Sequence, residues 1–390
     1  MNQWPDAETT LPADGTEGAL VGRVWRPGLG PSVVAVRDTG VHDVTADFAT
    51  VRDLCEAPDP ARRLRAADGE RIAGLGELLA NTPADTRDPR RPWLLAPVDL
   101  QAVKAAGVTF VASMLERVIE ERVRGDASEA ARTRERIRRL IGDDLAALRP
   151  GSERAAALKE ILVAQEMWSQ YLEVGIGHDA EIFTKAPVLA AVGSASDAGV
   201  HPSSRWNNPE PEVVLAVSST GAVVGATLGN DINLRDVEGR SALLLPQAKD
   251  NNASAALGPF LRLFEPDFGI DDVRRATVSL TVEGTDGYRL DAESSMSAIS
   301  RDPLDLVAQL IGPHHQYPDG AVLYLGTMFA PVEDRDAPGQ GFTHHDGDLV
   351  TITTPRLGTL VNRIRPSDAC PPWIFGIADL MRSLTARGAL

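Results

Sequence analysis

The stretch that decides the fold is residues 205–252, which read RWNNPEPEVVLAVSSTGAVVGATLGNDINLRDVEGRSALLLPQAKDNN. Two apolar runs, VVLAV and AVVGATLG, flank the turn signal SSTG, so this stretch predicts a β-hairpin. Glu210 and Glu212 stand two residues apart just before the first run. Side chains two apart on a strand share one face, so both carboxylates are expected to point the same way.

The register of this hairpin determines whether a third carboxylate joins them. With the turn at Ser218–Gly221, Asp231 falls opposite position 208, within diagonal reach of Glu210 across the ladder, and a bulge near Gly229 would bring it closer. Three converging carboxylates repel one another unless a cation or a proton lies among them. Ligands that are all oxygen suit Mg²⁺, with Mn²⁺ or Ca²⁺ as alternatives. A solvated acidic patch is the competing interpretation, and spacing alone does not separate the two.

Further polar residues follow this hairpin and extend the candidate site. Lys249 is a candidate base, because a nearby cation lowers the pKa of a lysine; the alternative is a surface lysine. Arg235 is a candidate site residue or one half of a structural ion pair. Farther along, Gly326 and Thr327 end the apolar run AVLYL, where a backbone N–H and a hydroxyl would suit a carboxylate. An ordinary turn after a strand explains these two residues equally well.

The composition narrows the class of protein. The 390 residues are 43% hydrophobic and carry 39 basic and 55 acidic side chains, a formal net charge of −16. A charge of this sign argues against nucleic acid or an anionic membrane as partner. Two cysteines predict no disulfide framework and no zinc cluster. No apolar stretch approaches the roughly 20 residues that span a bilayer, so we expect a soluble cytoplasmic protein.

The order of predicted elements indicates an α+β, β-rich chain with two domains. Short strands and helices before a Pro- and Arg-rich linker predict a small N-terminal α/β domain over residues 1–92. Residues 93–390 are mostly strand and loop and form the predicted catalytic domain. A helical pattern over about residues 113–172 predicts an insertion early in this domain.

Several blocks of sequence resemble the fumarylacetoacetate hydrolase family. GNDINLRDVEG is similar to the family signature G-N-D-x-S-x-R-D-x-Q, PEPEVVL to its E-x-E metal motif, and LYLGT to its G-T motif. The resemblance implies a catalytic domain of distorted β-roll fold, with Mg²⁺ held by Glu210, Glu212 and Asp231. It also implies that substrate contacts involve Arg235, Lys249, Gly326 and Thr327.

Two departures from the family pattern bear on the chemistry. The hydrolases of the family carry G-x-N-Y-x-x-H-x-x-E, in which the histidine activates water. In this chain Ser113 takes the place of that histidine, while Glu116 remains. Glu238 stands where the signature usually has glutamine. Since a serine cannot act as the resting base that histidine would be, this departure argues against C–C bond hydrolysis.

The whole pattern, including NNPEPEVVL, EGRSALLL and AKDNNAS, is most similar to the sugar-acid dehydratases of this family. The resemblance implies a Mg²⁺-dependent hydro-lyase that converts a 2-keto-3-deoxypentonate, derived from D-xylonate or D-arabonate, to α-ketoglutarate semialdehyde in pentose catabolism. Lys249 is then the expected base and Glu116 the expected acid. The resemblance also suggests a homodimer or a homotetramer. Two other interpretations remain open: a hydrolase of acylpyruvate-like diketo acids, and a catalytically silent oligomeric binding protein.

Overall fold

The computed structural model describes residues 4–124, 126, 128–130, 132, 135, 148–164, 166 and 168–389. Three sheets dominate it, built from the following strands: β1 Leu20–Arg26, β2 Gly30–Arg37, β3 Gly40–Asp43, β4 Glu70–Ala73, β5 Trp93–Leu95, β6 Ala102–Gly107, β7 Glu181–Ala186, β8 Ser196–Val200, β9 Asn207–Asn208, β10 Pro211–Val217, β11 Val223–Asp231, β12 Asn233–Leu234, β13 Ala255–Leu263, β14 Thr277–Glu283, β15 Arg289–Ser295, β16 Ala321–Tyr324, β17 Leu349–Thr354 and β18 Gly358–Pro366.

The helices of the described residues are short. They are α1 Ala7–Thr10, α2 Val51–Glu56, α3 Pro60–Ala66, α4 Leu75–Asn81, α5 Val111–Arg122, α6 Glu153–Ala164, α7 Gln170–Ile176, α8 Arg235–Glu238, α9 Leu245–Lys249, α10 Ile270–Arg275, α11 Pro303–Leu310 and α12 Ile377–Ala386. No helix in the described part of the chain is both long and apolar enough to cross a membrane. The predicted insertion at 113–172 contains α5, α6 and the start of α7, and much of the segment between α5 and α6 lies outside the described residues.

The largest sheet has 11 strands, which come from both sides of residue 92. Its strands run in the order β4-β3-β2-β1-β13-β11-β10-β16-β6-β7, and β5 pairs with β1. The strands of residues 1–92 therefore continue into the catalytic sheet through the antiparallel β1–β13 pair. The α+β, β-rich class is confirmed. The division at residue 92 stays a prediction, since strands from both sides of it share this sheet.

The predicted hairpin forms, with a register two residues away from the expected one. Pro211 pairs with Asn230 and Glu212 with Gly229, and the backbone N–H of Asp231 donates to the carbonyl of Glu210 at 3.0 Å. Asp231 thus lies opposite Glu210 itself. The irregularity in the ladder lies beside the turn, between Ala216 and Val217, and not near Gly229. Val217 pairs with Val223 and Ala216 with Gly225, so the turn and the irregularity each add one residue and together shift every later pair by two. The turn sequence alone did not reveal this shift.

Strand β10 is buried on both faces, and this explains its continuous apolar sequence. Val213 and Leu215 belong to a core shared with the five-stranded sheet β15-β14-β17-β18-β8. Val214 and Ala216 belong to a second core, which also contains residues of β1, β2 and β13. Glu210 precedes this strand and Glu212 lies within it, both in the same alternation as Val214, so the site lies at the edge of the second core.

Candidate metal and acid–base site

Three carboxylates meet at the end of the central hairpin. Glu210, Glu212 and Asp231 each offer an oxygen, and these oxygens all lie within 4.8 Å of one another. The three residues are 1%, 0% and 2% exposed, so the interpretation as a solvated acidic patch is wrong. Burying three like charges is costly without compensation. The structure therefore has to place cations beside them.

Three buried cationic side chains provide that compensation. Lys249 contacts Glu210 in a short ion pair, and its Nζ lies 2.9 Å from Oδ2 of Asp231. Lys185 of β7 lies 2.9 Å from Oδ1 of Asp231. Arg117 of α5 makes a short ion pair with Glu210. Lys249 is 3% exposed, so it is not a surface lysine.

Helix α5 covers the site and presents a polar stripe to it. Ser113, Glu116, Arg117 and Glu120 recur at intervals of three and four residues, and all four are buried. Glu116 lies 3.1 Å from Arg235 Nη2, and Glu120 lies 2.7 Å from Arg235 Nε. Arg235 thus forms the ion pairs that the structural interpretation expected, and its guanidinium also lies 4.4 Å from the centre of a tryptophan ring, that of Trp206.

Arg117 ties this helix to a second candidate, Glu238. The guanidinium of Arg117 lies 2.6 Å from Glu120 and 3.5 Å from Glu238. Glu238 is buried, and burial raises its pKa in spite of Arg117. Glu238 therefore belongs to the same network of ion pairs as Glu210, because Arg117 contacts both.

The sequence predicted hydrogen-bond donors at Gly326 and Thr327, and in the structure both donate to Glu212. The N–H of Gly326 lies 2.7 Å from one oxygen of Glu212, and the hydroxyl of Thr327 lies 3.2 Å from the other. Gly326 has φ +102°, and a Cβ there would lie 1.9 Å from the hydroxyl oxygen of Thr109. Only glycine fits this position, so the chain can bring its backbone N–H onto Glu212.

Arg117, Lys185 and Glu181 are site residues that the sequence reasoning missed. Lys185 lies in IFTKAP, a block that resembles the family, so the resemblance could have flagged it. Arg117 sits beside Glu116 in an ordinary helical pattern and gave no signal. Glu181 lies on β7, opposite Gly107 of β6. Its carboxylate is so close to this glycine that a Cβ added at Gly107 would lie 1.9 Å from Oε2 of Glu181. Its pairing with β6 has no signature in the sequence.

Burial and charge shift the pKa values at the site in opposite directions. Burial opposes ionisation of Glu210, but Arg117 and Lys249 outweigh it and lower its pKa to about 2. Burial raises the pKa of Glu212 well above its usual range, and the neighbouring Asp231 and Glu210 charges add to this. Burial also raises the pKa of Glu181 to about 7, with Glu238 adding to it and Lys249 and Arg117 opposing it.

The residues present fit a divalent cation with oxygen ligands. Burial disfavours the charge on Lys249, but Asp231, Glu210 and Glu238 together raise its pKa. The lysine therefore supplies positive charge to the same oxygens that could hold a metal. The donor set contains carboxylate oxygens and no thiolate or imidazole, which suits Mg²⁺ better than zinc or copper. Glu210, Glu212 and Asp231 are the residues that would hold it.

The part of the chain that holds the three carboxylates matches a known family model. Residues 210–365 match the family model described as fumarylacetoacetate (FAA) hydrolase C-terminal. This match agrees with the resemblance seen in the motifs of the same region. The solved 2-keto-3-deoxyarabinonate dehydratase in a hexagonal crystal form shares the fold, with a TM-score of 0.61, 21% identity and coverage of 89% of this chain and 99% of that one.

Individual proteins give more particular similarities. The chain is 28% identical over 335 residues to a probable 2-keto-3-deoxyxylonate dehydratase of Haloferax volcanii, covering 85% of this chain and 94% of that protein. It is 28% identical over 187 residues to the 2-dehydro-3-deoxy-D-arabinonate dehydratase of Saccharolobus solfataricus, covering 47% of this chain and 58% of that protein. A structure of 2-keto-3-deoxy-D-arabinonate dehydratase with magnesium and 2,5-dioxopentanoate has a TM-score of 0.59 at 20% identity, with 89% of this chain and 99% of that chain covered.

Proposed function

We propose that this protein is a Mg²⁺-dependent dehydratase, a hydro-lyase that converts a 2-keto-3-deoxypentonate to α-ketoglutarate semialdehyde, which is also named 2,5-dioxopentanoate. The observation that carries the proposal is the contact of Lys249 with a buried cluster of three carboxylates. The relatives at 28% identity are named as dehydratases of this substrate class. The solved dehydratase that is complexed with magnesium also holds 2,5-dioxopentanoate, the product proposed for this protein.

The reaction requires removal of a proton from C3 and departure of the C4 hydroxyl as water. Mg²⁺, when bound by Glu210, Glu212 and Asp231, would polarise the C2 carbonyl and make the C3 proton acidic. We propose that Lys249 takes that proton as a neutral amine, a form that becomes accessible once a cation occupies its carboxylate partners. An acid then protonates the departing hydroxyl, which leaves as water and gives a C3–C4 double bond. Transfer of a proton from C5 to C3 converts this allylic alcohol to a C4–C5 enol, which tautomerises to the aldehyde. Each well-placed acid or base contributes roughly 10²–10⁴-fold to such a rate.

Two carboxylates compete for the role of the acid. Glu116 was expected from the sequence, and it lies on α5 in an ion pair with Arg235. Glu181 emerges from the fold, where it interacts electrostatically with Lys249, Arg117 and Asp231. We propose that Glu181 carries the proton and that Glu116 positions Arg235. Gly326 and Thr327 orient Glu212 and remain our candidates for the substrate carboxylate, with Arg235 and Glu238 nearby.

Hydrolysis of acylpyruvate-like diketo acids is the competing activity. It needs a base that activates water, and the residue at the expected position is Ser113, which is buried on α5. A neutral hydroxyl holds its proton too tightly to serve as that base near neutral pH. The arrangement therefore favours dehydration. The silent binding protein is disfavoured by the buried carboxylates, whose burial would serve no purpose in such a protein.

A coupled assay tests the proposed function. Purified protein with Mg²⁺ and 2-keto-3-deoxy-D-xylonate, or the D-arabonate analogue, should form a semialdehyde that an aldehyde dehydrogenase oxidises. EDTA should abolish this product, and Lys249→Met should lower kcat by roughly 10²–10⁴-fold. Lys159→Met is the matched control, because Lys159 makes an exposed ion pair with Glu173 far from the carboxylates in sequence. Pyruvate release from an acylpyruvate, with no semialdehyde from either pentonate, would establish the hydrolase instead.

The ligand class, the oligomeric state and the cellular location of the protein are also proposals. We propose a small-molecule 2-keto acid as the ligand, a homodimer or homotetramer as the assembly and the cytoplasm as the location. Light scattering of the purified protein would determine the assembly. A monomer that is active at nanomolar concentration would contradict it.

A further inference from the structure

The carboxylate face of the central hairpin continues beyond the metal site. Strands β9 and β12 pair Asn208 with Asn233, in the register that pairs Glu212 with Gly229 farther along. The two ladders share one register, so neither strand has an extra residue between them. Side chains alternate along a strand, so Asn208 follows the face of Glu210, and Asn233 follows the face of Asp231. The amide pair is thus about 6.6 Å, two residues of strand, beyond the carboxylates.

The two amides are buried and incompletely bonded. Both asparagines are 0% exposed. Within the described part of the chain, neither the oxygen nor the nitrogen of the Asn233 side chain has a hydrogen-bond partner, and the Asn208 oxygen has none. The Asn208 nitrogen donates to the carbonyl of Pro209 at 2.8 Å. Folded proteins leave few buried polar atoms unbonded, because each is costly, so such atoms at a functional site call for a ligand.

We infer that Asn208 and Asn233 bind the terminal hydroxyl of the substrate and thereby select hydroxylated 2-keto acids. This inference rests on the proposed function, because it takes the keto acid end of the ligand to lie at the carboxylates. A hydroxyl can donate one hydrogen bond and accept another. The Asn233 oxygen accepts from the C5 hydroxyl and its nitrogen donates to it, while Asn208 offers a second acceptor. The spacing of about 6.6 Å suits the far end of a five-carbon acid.

The assignment makes an unusual prediction about stability. Asn233→Leu replaces an unbonded amide with an apolar side chain of similar shape. Such a change should leave the Tm of the ligand-free protein unchanged or raise it, since no protein hydrogen bond is lost at Asn233. Asn362→Leu is the matched control. Its amide is equally buried but donates to the carbonyls of Gly193 and Ser196, so this variant should melt at a lower temperature.

Binding is measured by calorimetry with Mg²⁺ and two ligands, 2-oxopentanoate and 5-hydroxy-2-oxopentanoate. They differ in one hydroxyl, and neither has a C4 hydroxyl to lose, so no turnover occurs. The wild-type protein and Asn362→Leu should prefer the hydroxylated acid by about 10–100-fold. Asn233→Leu should abolish this preference and retain its Kd for 2-oxopentanoate.

The possible results separate the inference from the proposed function. Equal Kd values for the two acids in the wild-type protein would overturn the inference and leave Mg²⁺-dependent keto acid binding in place. A lower Tm for Asn233→Leu, together with a retained preference, would make the amides structural and also overturn it. Loss of binding of both acids in the wild-type protein would overturn the inference and the keto acid site together. Selective binding without any dehydration of pentonates would support the inference while the proposed reaction failed.

Discussion

At the scale of single residues, the structure separates groups that sequence spacing treats alike. Glu210 and Glu212 are two residues apart, yet one lies against two cations and the other receives hydrogen bonds from Gly326 and Thr327. Burial raises the pKa of Glu212, with the charges of Asp231 and Glu210 adding to it, whereas the two cations outweigh burial at Glu210 and lower its pKa. The same contrast applies to Glu116 and Glu181. Glu116 forms an ion pair with Arg235, whereas the carboxylate of Glu181 lies against the backbone of Gly107.

A pH profile distinguishes these last two carboxylates. If Glu181 donates the proton, its protonated form is the active one, and kcat/KM should fall as the pH rises through about 7, the value to which burial raises its pKa. Glu181→Gln should lower kcat by roughly 10²-fold or more and remove this alkaline fall. Glu116→Gln should retain the fall of kcat/KM at alkaline pH, even if loss of the ion pair with Arg235 raises KM. The reverse pattern in the two variants would return the acid role to Glu116.

At the scale of elements, α5 is the part of the molecule that closes the site. Its apolar residues Met114, Val118 and Ile119 pack into a helical core of their own. Its polar stripe meets the sheet through Arg117, which contacts Glu210, Glu120 and Glu238. This arginine neutralises one of the three carboxylates that would hold the metal. The helix and a divalent cation therefore compete for Glu210.

Removing the arginine should shift this balance. Arg117→Met leaves Glu120, Glu238 and Glu210 buried with less positive charge, so we expect a loss of roughly 3–5 kcal/mol in the free energy of unfolding without metal. The same change should tighten Mg²⁺ binding, because the potential at the carboxylates becomes more negative. Calorimetric titration with Mg²⁺ and melting curves in EDTA measure both effects.

The same helix provides the control. Arg122→Met removes an exposed arginine that donates to the carbonyl of Glu166, and it should change neither quantity appreciably. Weaker Mg²⁺ binding by Arg117→Met than by Arg122→Met would show that Arg117 supports the metal site instead of competing for it.

At the scale of the whole molecule, the N-terminal portion and the catalytic portion share one core. Val21 and Val33 from the first portion belong to the same hydrophobic cluster as Val214 and Leu257 from the second. Arg262 of β13 pairs with Asp14 at 2.7 Å, a contact 248 residues apart in sequence. We therefore expect the two portions to unfold together, although a boundary at residue 92 was drawn from the linker composition.

Hydrogen exchange followed by mass spectrometry tests this expectation. Strands β2 and β10 should lose protection together as denaturant is raised, because a shared core cannot open on one side alone. Mg²⁺ at about 100 times its Kd should delay both by the same free energy, about 2.7 kcal/mol. Separate transitions, with Mg²⁺ acting on β10 alone, would instead establish two independent domains divided near residue 92.

The prediction from sequence succeeded where chemistry is local. The two runs VVLAV and AVVGATLG, the turn between them and the glutamates at Glu210 and Glu212 were enough to predict a hairpin with clustered carboxylates. The register was two residues away from the real one, because an irregularity beside the turn has no clear mark in SSTG. Arg117, Lys185 and Glu181 were missed, since each reaches the site through a helix or strand that is distant in sequence.

The sequence by itself determined the donor set of the site and the resemblance to a family, because both depend on residue types at short fixed spacings. Only the tertiary structure decided the electrostatics. Burial turns the carboxylates from a solvated patch into a charged centre that must be balanced, and cations from β7, α5 and α9 converge to balance it. The physical reason is that a pKa and an ion pair depend on distance and desolvation, and the fold sets both.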